Sequence, residues 1–76
     1  MKEKIIEVIA DCIGIEAESL DINADLDDEY NMDSTEKADL ARILENEFNI
    51  KVEKSSKDTW NTAKDIIAFV MDNAER

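Results

Sequence analysis

The sequence predicts an all-α fold: a small helical bundle of three main helices plus a short helical turn, with a long loop between the first and second helices, in one domain over residues 1–76. Apolar residues recur at helical spacing in three separate stretches, near residues 5–13, 40–48 and 63–74. The chain has no proline and a single glycine, Gly14, so helix breakers are rare. Hydrophobic residues make up 43% of the 76 positions, too many for a disordered segment and enough for one core of marginal stability.

The first helix is expected over residues 2–13. Ile5, Ile6, Val8, Ile9, Cys12 and Ile13 share one face, with Lys4, Glu7 and Asp11 opposite and Gly14 as the C-cap. Residues 15–33 lack sustained periodicity. They form the long loop, pinned to the core by isolated apolar residues at Ile15, Leu20, Ile22, Leu26, Tyr30 and Met32, and loops of this length are usually functional or hold a short helical turn. A second helix is expected from Ser34 to Phe48. Asp33 is its N-cap, and Glu36 completes a capping box. Leu40, Ala41, Ile43, Leu44 and Phe48 face inward, Thr35, Asp39, Arg42, Glu45 and Asn46 point away, and Asn49 ends the helix in a left-handed conformation. Residues 50–60 form a connector with one helical turn around Ser55 to Thr59, anchored inward by Val52 and Trp60. The last helix is expected from Ala63 to Ala74. Thr62 and Asp65 form its capping box, and Ala63, Ile66, Ile67, Val70 and Ala74 form its core face, flanked by Phe69 and Met71.

Charge narrows the partners. Twenty acidic residues against nine basic ones give −11, which excludes nucleic acid and disfavours an anionic membrane surface. A basic protein surface is the natural complement. Residues 1–33 hold eleven acidic and two basic side chains, whereas residues 50–76 hold five of each. The longest apolar run, Ile66 to Met71, is far short of the roughly 20 residues that span a bilayer. With Cys12 the only cysteine and no signal-peptide core after Met1, the chain reads as cytoplasmic. The absence of histidine removes the commonest general base and metal ligand.

Most chemical candidates are weak. Asp21, Asn23 and Asp25 match the start of a calcium loop, but Leu26 and Met32 stand where its glycine and final glutamate belong, so a solvated acidic loop is the better reading and no metal is expected. Adjacent carboxylates such as Asp27 and Asp28 are expected by chance in so acidic a chain. Cys12 lies on an apolar face and reads as a small hydrophobe, and Met32, Met71 and Trp60 read as core. Ser34 is different because it opens the second helix beside the N-cap, where its hydroxyl is exposed and the helix dipole favours an attached phosphate. By position alone, an ordinary helix start remains the simpler account.

The run Asn31-Met32-Asp33-Ser34-Thr35, followed by Leu40 through Leu44-Glu45-Asn46-Glu47-Phe48-Asn49-Ile50-Lys51-Val52, resembles acyl carrier proteins. That family has an Asp-Ser-Leu segment opening the second helix and a Leu-Glu-Glu-Glu-Phe-like run closing it. The resemblance covers essentially the whole chain. It implies that Ser34 takes phosphopantetheine from coenzyme A through a phosphodiester, using the magnesium and base of a separate phosphopantetheinyl transferase. It also implies that the chain catalyses nothing and carries acyl groups as thioesters to enzymes of fatty-acid, lipid or polyketide-type biosynthesis. By family position, Leu26, Leu40, Leu44, Val52, Trp60, Ile67 and Phe69 would line an acyl pocket. Asp33, Thr35, Glu36, Asp39, Arg42 and Glu45 would meet the basic docking surfaces of acyl-loading and acyl-processing enzymes, with the carrier itself a monomer.

Several positions depart from the family pattern. Thr35 stands where leucine is usual, Asn31 where glycine is usual, and Arg42 where an apolar residue is frequent. Lys37 falls on the inward half of the second helix, so its head must reach solvent at the mouth of any cavity. These departures indicate a specialised carrier with dedicated enzymes. Trp60-Asn61-Thr62 is similar to carriers of amino-acid cargo such as D-alanyl carrier proteins, which makes an aminoacyl carrier the alternative and an unmodified acidic interaction module the second alternative.

Overall fold

In the computed structural model, residues 2–74 are described, apart from the side chain of Lys54. Met1, Glu75 and Arg76, which the expected 1–76 domain includes, lie outside the described residues. Five α-helices occur in order: α1 (Lys2–Ile13), α2 (Leu26–Tyr30), α3 (Ser34–Phe48), α4 (Lys54–Lys57) and α5 (Ala63–Ala74), with a 3-10 turn at Ala17–Ser19. α1 packs against α3 and α5, and α3 also meets α4 and α5. This is the small helical bundle read from the sequence.

The three long helices form where apolar stripes and caps agree. α1 buries Ile5, Ile9 and Ala10 and ends at Gly14, whose φ of +90° lets the Gly14 and Ile15 N–H groups both reach the Ala10 carbonyl, at 2.8 and 3.0 Å. α3 starts at Asp33, whose Oδ1 accepts the Glu36 N–H at 2.9 Å, the forward bond of the expected box, and it ends at Asn49 with φ 53°. At α5 both halves of the box are made: Thr62 Oγ1 accepts the Asp65 N–H at 3.3 Å, and Asp65 Oδ2 accepts the Thr62 N–H at 3.1 Å. One hydrophobic core joins Ile5, Ile9, Leu26, Met32, Leu40, Leu44, Trp60, Ile66 and Val70. No polar or charged residue is fully buried in it among the described residues.

The long loop is more ordered than its sequence suggested. Asp25 caps α2 by accepting the Asp27 and Asp28 N–H groups at 2.9 and 3.1 Å. Asn31 ends α2 at φ 54°, which explains its use where glycine is usual: asparagine is among the few side chains that tolerate this conformation. The turn sends Met32 into the core and leaves Asp33 and Ser34 outside. Two backbone bonds, Leu26 N–H to Asn61 O at 2.8 Å and Lys64 N–H to Ile22 O at 3.0 Å, clamp the loop to the start of α5. Tyr30 Oη accepts the Asp21 N–H at 2.9 Å.

Two expectations about α3 are corrected. Ile43, placed on the core face, is 42% exposed. At about 100° per residue it lies roughly 60° from Leu40, on the side away from Ala41 and Phe48, so it faces the gap between α1 and α3 and not the core centre. Glu45, placed on the outward face, is half-buried, and its Oε2 accepts the Val52 N–H at 2.8 Å. The carboxylate thus supplies the hydrogen bond that the first residues of the connector lack from any helix or strand.

Candidate functional site

Ser34 is the first residue of α3 and is exposed. Its position follows from its neighbours. Asn31 turns the chain, Met32 anchors it, and Asp33 holds the first turn, so the Ser34 side chain stands at the positive end of a fifteen-residue helix. An open groove of about 700 Å³ extends from it, lined by Asp27, Ser34, Thr35, Lys37, Ala38, Asp39, Arg42, Lys57, Asp58 and Asn61. Three cations and three carboxylates line it, a local balance unlike the −11 of the whole chain.

Lys37 lies on the inner half of α3 as expected, with its side chain only 15% exposed. Its head is not simply left to solvent. Nζ sits 3.4 Å from Oδ2 of Asp27, whose own side chain is 58% exposed, so a carboxylate from α2 neutralises the ammonium at the groove. Of the residues expected to meet partners, Asp33, Thr35, Glu36, Asp39 and Arg42 are exposed around the start of α3, while Glu45 is tied to Val52. Of the residues expected to line a pocket, Leu26, Leu40, Leu44, Trp60 and Ile67 are buried together, and Val52 and Phe69 are half-buried against them. The structure therefore separates a polar groove beside Ser34 from the apolar core behind it.

Asn61, quoted from sequence only within Trp60-Asn61-Thr62, belongs to this groove, as do Lys57 and Asp58, which were not singled out from sequence. They come from the connector and meet α3 only through the tertiary fold, so no periodicity or spacing marks them. The remaining candidates take structural places. Asp21 Oδ1 accepts the Asn23 N–H at 3.0 Å and Asp25 caps α2. No group of three or more histidine, cysteine or acidic side chains is placed to hold a metal among the described residues. Cys12 is half-buried, and burial pushes its thiol above the ordinary 9.0, helped by the negative charges of Glu36, Asp39 and Asp11. It sits in a second groove, of about 530 Å³, between α1 and α3, which shares no residue with the first.

Residues 3–70 match the family described as phosphopantetheine attachment site. Over 74 residues the chain is 32% identical to an acyl carrier protein of Saccharopolyspora erythraea, covering 97% of this chain and 78% of that one. The chain belongs to the acyl carrier protein family. An acyl carrier protein of Syntrophobacter fumaroxidans is 27% identical over 73 residues, covering 96% of this chain and 90% of its own. As an acyl carrier protein the chain is a carrier and not an enzyme, and it bears a phosphopantetheine attachment domain. Membership implies encounters with a phosphopantetheinyl transferase and with processing enzymes. Among the described residues no helix is long and apolar enough to cross a membrane.

Proposed function

We propose that Ser34 is the residue to which the phosphopantetheine arm is attached, and that the chain is a single-domain, specialised acyl carrier serving dedicated enzymes of fatty-acid, lipid or polyketide-type biosynthesis. The observation that carries this reading is the exposed Ser34 hydroxyl at the first position of α3, opening onto a groove lined by Lys37, Arg42 and Lys57. Those cations and the helix start suit a phosphodiester. In the modification, the Ser34 oxygen displaces the nucleotide half of coenzyme A at phosphorus, and its proton passes to a base of the transferase. The arm supplies a thiol on which an acyl group is held as a thioester. This chain's own part is to present Ser34 outside the fold, to keep the first turn of α3 rigid through Asp33, and to offer Glu36 and Asp39 to basic docking surfaces.

Intact-protein mass after incubation with coenzyme A and a broad-specificity transferase tests the reading. A gain of one phosphopantetheine that Ser34→Ala abolishes supports it. No gain on a folded protein, or a gain that survives Ser34→Ala, overturns it. An aminoacyl carrier is the second reading, because the groove also offers Asp27, Asp39 and Asp58 to an ammonium group. The acyl species recovered from the thiol in the native host distinguishes the two.

A further inference from the structure

We propose that Trp60 reads the cargo: its indole N–H donates a hydrogen bond to an oxygen carried on the acyl chain, so that acyl groups bearing a keto or hydroxyl oxygen are held in preference to saturated chains of the same length. The proposal rests on Ser34 being the attachment residue and adds a specificity determinant to that reading.

The ring of Trp60 is 1% exposed and packs edge-to-face on Phe69, with centroids 5.7 Å apart and planes at 65°. Its Nε1 is the one buried side-chain nitrogen or oxygen without a hydrogen-bond partner among the described residues. A buried donor with no acceptor costs stability that a phenyl or aliphatic side chain of similar bulk would not. Buried polar groups are otherwise nearly always satisfied, so this isolated donor in an apolar core is where an arriving acceptor would gain a hydrogen bond.

Trp60 itself lines neither groove, but its neighbours in the chain line the one at Ser34. Lys57, Asp58 and Asn61 line the groove that opens at Ser34, and the backbone N–H of Trp60 donates to the Lys57 carbonyl at 3.1 Å. Behind the groove, the indole shares the core with Leu40 and Leu44 of α3, the helix that Ser34 opens. To meet the indole, a chain attached at Ser34 has to part α3 from the 57–61 segment, the two elements that lie between the groove and the core. That entrance is lined by three cations and three carboxylates, so a purely apolar chain gains little on the way in, whereas an oxygenated one keeps hydrogen bonds throughout.

The chain has one tryptophan, so the indole N–H gives a single, unambiguous resonance in a proton–nitrogen NMR spectrum. The experiment follows that signal in the apo protein, in the holo protein verified by mass, and in holo protein loaded with hexanoyl, 3-oxohexanoyl or 3-hydroxyhexanoyl groups. The expected result is a downfield shift and slower hydrogen exchange of the indole proton with the two oxygenated cargoes, and neither change with hexanoyl. As a second readout, hydroxylamine should cleave the oxygenated thioesters about three- to tenfold more slowly from the parent than from Trp60→Phe, the range set by one net hydrogen bond, with no difference for hexanoyl. An indole signal that responds equally to all three cargoes, that moves on attachment of the arm alone, or that does not move overturns the proposal while leaving Ser34 as the attachment residue. Absence of a mass gain at Ser34 overturns the attachment reading and this proposal with it.

Discussion

Lys37 and Asp27 should respond unequally to removal, because they are unequally buried. The lysine side chain is 15% exposed and the aspartate 58%, with 3.4 Å between the charged atoms. In Asp27→Asn the half-buried lysine stays where it is, its ammonium at the groove with only a neutral amide for a partner. Removing the charged acceptor of a partly buried donor costs up to about 1–3 kcal/mol, and in a domain of this size each kcal/mol lowers Tm by about 4–8 °C. In Lys37→Met the apolar stem is kept, the charge leaves the groove, and Asp27 hydrates where it stands. That change should fall within about 1 kcal/mol of the parent, since a pair with one exposed partner contributes little net stability. Urea and thermal unfolding of both single variants and the double variant, followed by circular dichroism, measure the two losses and their coupling. The reasoning fails if Lys37→Met costs as much as Asp27→Asn, or if Asp27→Asn is indistinguishable from the parent. Both residues also line the groove beside Ser34. With methionine at position 37 the entrance loses a cation, and a long saturated chain on the arm should perturb Leu40 and Leu44 more than it does in the parent.

Four further outcomes are expected. Asp39→Lys should slow phosphopantetheine transfer to Ser34 without lowering Tm, because Asp39 is exposed and lies beyond the first turn of α3, whereas Glu45→Lys should cost about 1 kcal/mol of stability through loss of its bond to the Val52 N–H; a mass time course and a melt separate the two effects. Tm should rise with sodium chloride, and more steeply per mole with magnesium chloride, as counterions relieve the repulsion among the eleven acidic residues of positions 1–33; a flat response to both salts removes this account. Cys12 should be alkylated more slowly than an unstructured cysteine peptide near pH 8 because its thiol is held above 9.0, and the contribution of the neutral thiol to stability, complete below its unfolded pKa, should fade as pH rises through the raised folded value; Cys12→Ala, followed by melts across that range, should abolish the fading. Thr35→Leu with Arg42→Met should improve loading by a housekeeping fatty-acid enzyme, and unchanged loading in a kinetic comparison counts against dedicated partners.

Much of this architecture is written locally in the chain. α1, α3 and α5 each carry an apolar stripe of several turns, and four of their six ends are marked by a residue whose backbone or side chain does the capping: Gly14, Asp33, Asn49, and Thr62 with Asp65. Ser34 could be placed for the same reason, since a helix start is a local feature. α2 was less legible because five residues make little more than one turn and only Leu26 among them is buried, so no stripe can form. Its remaining signals, Asp25 before it and Asn31 after it, are ordinary loop residues until the turn between them is known to be helical.

What could not be read locally is the division of labour around Ser34. A helical wheel places Lys37, Glu45 and Ile43 by angle alone, yet their environments are set by Asp27, Val52 and α1, which are distant on the wheel or absent from it. The same holds for Trp60. Sequence assigns it to the core, and the structure agrees, but only the packed fold shows that its N–H has nothing to bond to. The consequence runs back to function. On the proposed reading the arm is presented from Ser34, and Ser34, Thr35, Glu36 and Asp39 are all exposed on the first turns of α3. The carrier must also distinguish its cargo, and the features suited to that, a charge-balanced groove and an unsatisfied indole, come from the connector that folds back against α3. On that reading, presentation rests on a helix start and selection on the contact between two segments, where single substitutions such as Trp60→Phe and Lys37→Met should change what is carried without changing how it is presented.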